Sequence, residues 1–171
     1  TVASGAYLYA NAGAFALEEQ ALSGQDKWLY GLQLGADWTV SDALQLRVGL
    51  GVYDFHHAEG VREALPRPTG AAAGTTAYLT REYPRSLRLK GNTLINLNDP
   101  TSTAAPVWGL ASKFRPINLS LALAYRLSPQ QQAIVALDWV KNTGFDLADI
   151  ERRAADPRVR DIAERTTGLQ L

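Results

Sequence analysis

His56 and His57 stand between Asp54 and Glu59, and imidazole nitrogens beside carboxylates are the ligand set of zinc or copper. The residues before them alternate like a strand, and neighbours on a strand point to opposite faces. The two rings therefore diverge and read as exposed polar residues at a strand end. Asp146, Asp149 and Glu151 offer oxygen ligands for calcium, but without the regular spacing and central glycine of a calcium loop. No metal site is expected. The chain has no cysteine, which removes disulfides, zinc thiolates and thiol nucleophiles. No serine occupies a G-x-S-x-G elbow, and both histidines lie at one place, so no catalytic residues and no enzyme activity are expected. The glycines of GLQLG open no helix with a following Lys-Ser/Thr pair. No nucleotide or other cofactor is implied.

The remaining candidates are charged and amide residues recurring with a period of two. Gln33 and Asp37 share one face of the 28–38 segment, Gln45 and Arg47 one face of the 44–55 segment, and Arg126 and Asp138 belong to a later pair of segments. On paired strands these six would line a water-filled lumen and set its charge preference. The alternative is the solvated face of a soluble sheet. Arg81, Arg85, Arg88 and Lys90 form a basic run (REYPRSLRLK) within a long irregular stretch. Folded into a barrel it would narrow the passage and favour anions; left outside it would meet lipopolysaccharide phosphates. Arg152, Arg153, Arg158, Arg160 and Arg165 are interspersed with acids and read as a solvated helix or loop.

Strands must position these residues. In residues 28–38 one parity is Trp28, Tyr30, Leu32, Leu34, Ala36, Trp38, and the other is Leu29, Gly31, Gln33, Gly35, Asp37. Ten steps of about 3.3 Å span about 33 Å. Tilted by about 40°, this projects to roughly 25 Å, the height of the lipid-facing band of an outer-membrane barrel between its aromatic girdles. Residues 44–55 return after a tight turn at 41–43, with Leu44, Leu46, Val48, Leu50 and Val52 opposite Gln45, Arg47, Gly49, Gly51 and Tyr53. Residues 117–127 and 132–141 form a second such pair around a turn at 128–131. Residues 1–13 predict a first strand with Tyr7, Tyr9 and Asn11 on one face, and 166–171 predict the start of another. Residues 14–27 read as a polar connection, 56–116 as a long loop region with short strands near 86–97 and 108–114, and 143–165 as a charged connection with a helix near 148–155.

Short turns fall at one end of this meander and long connections at the other, as in outer-membrane barrels. Trp38 and Tyr125 lie toward the short-turn end, and Trp28, Tyr30 and Trp139 toward the long-connection end, which predicts two aromatic girdles. Seventeen basic residues balance seventeen acidic ones, so no global field points to nucleic acid. No run approaches the roughly 20 apolar residues of a transmembrane helix. The expected fold class is all-β: an antiparallel up-and-down transmembrane β-barrel, partial, with about six to eight strands and long external loops. A membrane does not tolerate open sheet edges, so one partial domain over 1–171 is expected to belong to a longer barrel, the alternative being one part of an oligomeric barrel.

DKWLYGLQLGADW, then VYDFHHAEG, LKGNTL and LDWVKNTGFD, together resemble the Putative porin family of Gram-negative outer membranes, over roughly residues 13–146. The resemblance implies an outer-membrane diffusion channel for small hydrophilic solutes, with outer-membrane lipid and lipopolysaccharide as surroundings. It leaves the solute and any homo-oligomer open. The rival readings are a non-conducting outer-membrane barrel acting as adhesin or assembly partner, and a soluble carbohydrate-binding sheet.

Overall fold

The computed structural model describes residues 5–19, 26–64, 78–80, 92–98, 101, 103, 106–154 and 166–170. They fall into two compact units. The first comprises Thr1–His56, Phe114–Gly144 and Arg165–Leu171; the second comprises His57–Lys113 and Phe145–Glu164.

The first unit is one antiparallel sheet. Its strands are β1 (Gly5–Glu18), β2 (Lys27–Thr39), β3 (Leu44–His56), β8 (Pro116–Ser128), β9 (Gln131–Asn142) and β10 (Thr167–Gln170), hydrogen-bonded in that order. The four short strands numbered between β3 and β8 belong to the second unit. The alternation that predicted strands sets the register: Trp38 pairs with Leu46 and Leu46 with Leu123, while Asp37 pairs with Arg47 and Arg47 with Ala122. A slip of one residue would exchange the two faces, so the patterning specifies the pairing strongly. Both tight turns form where expected. The Ser41 hydroxyl accepts from the amides of Ala43 and Leu44 at 3.3 and 3.1 Å. The Ser128 hydroxyl accepts from the Gln130 amide at 3.3 Å.

One boundary differs from expectation. β1 continues through Ala14, Phe15 and Ala16, which pair with Tyr30, Leu29 and Trp28. The alanine- and glutamate-rich stretch looks helical locally, but a preformed neighbouring strand offers every amide a partner and overrides that propensity. The register shifts only between Ala16 and Glu18, where Lys27 closes an ion pair with Glu18 at 2.5 Å. Among the described residues β1 pairs only with β2 and β10 only with β9, so the sheet is open.

The second unit holds β4 (Arg62–Ala64) paired with β5 (Tyr78–Thr80), β6 (Leu94–Asn96) paired with β7 (Trp108–Leu110), and α1 (Leu147–Arg153). Asp146 caps the helix, accepting from the Asp149 amide at 3.1 Å. The buried apolar residues Ile95, Leu97, Ala111 and Ile150 lie here, flanked by Val107, Phe145 and Ala154. Two segments distant in sequence thus share one core. Gly60 and Gly109 let their backbones touch: a Cβ built on Gly60 would fall 2.5 Å from the Gly109 Cα. Arg153, with a side chain 13% exposed, joins the segments. Its guanidinium donates to the carbonyl oxygens of Gly60, at 2.7 Å, and of Ala111, and to Asp149 at 3.0 Å. Burial pushes the Asp149 carboxyl up, but Arg153, Lys113 and Arg152 around it outweigh burial and hold it below its ordinary value.

Candidate functional site

The register turns the two parities into two continuous faces. On one, Trp38, Leu46, Leu123 and Val135 form a transverse row, followed by Ala36, Val48, Leu121 and Leu137, and then by Leu34, Leu50, Leu119 and Trp139. These aliphatic residues are largely exposed; Leu34 is 49% and Leu123 39% accessible. Trp28 and Tyr30 stack at the long-connection end of β2, with ring centroids 6.1 Å apart and planes 14° apart. His56 meets Tyr30 edge-on at 6.3 Å. Trp38 stands at the opposite end of the strand, and Tyr125 pairs with Leu44 beside the short turns. Trp139 pairs with Leu119, in the row of Leu34 and Leu50.

The opposite face is polar. Its first charged row brings together Tyr7, Asp37, Arg47, Ala122 and Ala136. Both carboxylate oxygens of Asp37 are engaged: Arg47 donates to Oδ2 from Nε at 3.1 Å and from Nη2 at 2.8 Å, and Gln45 donates to Oδ1 at 2.9 Å. The pair is exposed, with 61% of the Arg47 side chain accessible, so its field reaches the space above the sheet. One row on, Asp138 pairs with Ser120, whose hydroxyl lies 2.6 Å from Asp138 Oδ1 and 3.0 Å from Asn118 Oδ1. In the next, the Asn11 amide lies 3.4 Å from Gln33 Oε1. All six strand candidates, Gln33, Asp37, Gln45, Arg47, Arg126 and Asp138, occur on this face.

Arg126 lies at the short-turn end, paired with Gln132, its amide bonded to the Ala43 carbonyl at 2.8 Å. Among the described residues it makes no ion pair. With Gln45, Gln132, Thr39 and Ser41 it lines an open hollow of about 230 Å³. The small residues Ala122 and Ala124 leave this part of the face low.

Two tyrosines were not singled out by charge or metal chemistry. Tyr9 lies across Gly35, and a Cβ built there would collide with its ring and hydroxyl. The same hydroxyl reaches to 3.6 Å from a Cβ built on Gly49, so the ring covers β2 and extends to β3. Tyr53 covers Gly51 and Gly31 in the same way, at 2.8 and 3.1 Å. The signal for this was present: these glycines share the parity of Gln33 and Arg47. Parity alone does not tell which ring lies over them.

His57 adopts φ 57° at the end of β3, so the chain turns between the two histidines. Among the described residues no three His, Asp or Glu converge as metal ligands. Arg81, Arg85, Arg88 and Lys90 lie outside the described residues. No helix among the described residues is long and apolar enough to cross a membrane. Against known families, residues 1–171 match the model described as Putative porin. No curated protein and no solved structure matches the chain.

Proposed function

The chain belongs to the Putative porin family, and from that premise we propose that its sheet forms part of a barrel wall in the bacterial outer membrane. The polar face lines a water-filled passage, and small hydrophilic solutes cross it by passive diffusion. The observation that carries this reading is the separation of the faces. Leu34, Leu50, Leu119 and Val135 remain exposed across four paired strands, and that area in water would be strongly unfavourable. Acyl chains remove the penalty, and the aromatic residues at both ends of β2 suit the two interfaces of a bilayer. Asp37, Arg47, Arg126 and Asp138 would then set the field felt by a passing ion. The basic run Arg81, Arg85, Arg88 and Lys90 would add an anion-favouring constriction or contact lipopolysaccharide. Nothing in this mechanism requires a catalytic residue or a cofactor.

Conductance across a planar bilayer tests the proposal. Stepwise channels are expected, with Arg126→Glu shifting the reversal potential under a salt gradient toward cations. Protein inserted in the bilayer without conductance would instead favour an adhesin or assembly role. A monodisperse monomer in buffer without detergent would favour a soluble carbohydrate-binding sheet.

A further inference from the structure

The polar face carries a line of aromatic rings that a purely ionic passage does not need. Phe15 and Phe55 share the row nearest the long connections, and Phe55 meets Phe114 edge-on at 6.4 Å. Tyr53 follows one row on, and Tyr9 two rows beyond it. Tyr7 stacks near-parallel to Tyr9, at 6.4 Å and 24°. From Phe15 to Tyr7 is eight residues along β1, about 26 Å. Glycines beside Tyr9 and Tyr53 leave room for their rings to reach across the sheet. The face of an aromatic ring carries partial negative charge.

The groups beside the rings are bidentate and neutral or self-compensated. Asn11 and Gln33 present amides between Tyr9 and Tyr53. The Asp37–Arg47 pair, with Gln45 on its second oxygen, stands in the row of Tyr7. A pyranose offers axial C–H bonds to a ring face and hydroxyls at its rim to amides and paired charges. We propose that this row of rings is a sliding track for pyranose sugars. The inference rests on the passage reading above and narrows its solute class.

The test is block of ion current in planar bilayers through the full-length barrel of which this sheet is proposed to form a part. The probe is a glucose oligosaccharide of three to six units, compared with poly(ethylene glycol) of equal hydrodynamic size and with benzoate. The sugar should interrupt current at a concentration at least tenfold below the polymer. Tyr7 is 68% exposed, so Tyr7→Ala removes a ring face without opening the packing. It should raise the half-blocking concentration about tenfold, Tyr7→Phe should restore it, and Leu32→Ala on the aliphatic face should leave it unchanged. Equal block by sugar and polymer, or identical block in wild type and Tyr7→Ala, would overturn the track. Block by benzoate alone would overturn it in favour of aromatic acids. Open channels with any of those results leave the passage reading intact, whereas bilayers with inserted protein and no conductance overturn both.

Discussion

Gly35 owes its identity to a ring on another strand. A side chain at this position would have to displace Tyr9, which lies across the gap. Gly35→Val is expected to destabilise the sheet by about 1–3 kcal/mol, the usual cost of overpacking. Tyr9→Ala in the same chain should recover part of that loss, because the two positions are coupled. Urea midpoints of the lipid-folded protein, measured as a double-mutant cycle, would show it; strict additivity would contradict the contact. Asp149 gives a second prediction. Its carboxyl is held below its ordinary value in the fold, so the stabilisation is complete above the unfolded pKa near 4. It is lost as pH falls through the lower folded value. Amide exchange in α1 should therefore accelerate as pH is lowered below about 4, after correction for intrinsic rates, and Asp149→Asn should flatten that dependence. Arg153→Met removes the guanidinium from two carbonyls and a carboxylate. A loss of roughly 3 kcal/mol in the second unit is expected, read as faster exchange of its slowest amides.

At the scale of the strand, the two parities should differ sharply under the same substitution. Leu121 and Ala122 are neighbours on β8, the first in the aliphatic rows and the second in the row of Asp37 and Arg47. Leu121→Arg is expected to cost about 2–4 kcal/mol in lipid if it faces the bilayer interior. Ala122→Arg should cost much less and shift ion selectivity toward anions. Comparable costs at both positions would remove the assignment of the faces. β2, β3, β8 and β9 were legible because their alternation is long and unbroken. The end of β1 was not: Phe15 and Ala16 belong to the strand only because Leu29 and Trp28 are already aligned beside them. The row of Trp139 was likewise not legible, since only the pairing of β9 with β8 sets it beside Leu119.

On the scale of the molecule, the two units bury apolar surface in different ways. The second has a core of Ile95, Leu97, Ala111 and Ile150. The described sheet leaves its leucines outward and has no such core. Refolding into vesicles or micelles should therefore be required for native strand content by circular dichroism, and buffer alone should leave the sheet unformed. The sequence by itself determined the antiparallel meander, its short turns, and which residues share a face. A period of two is a local property of the backbone, and 28–38 displays it without reference to any other segment. Only the tertiary structure decided that His57–Lys113 and Phe145–Glu164 share a core, that Arg153 ties them, and that Tyr9 covers Gly35 and Tyr53 covers Gly31 on the neighbouring strand. Those contacts join residues far apart in the chain, and no local spacing encodes which partner will arrive.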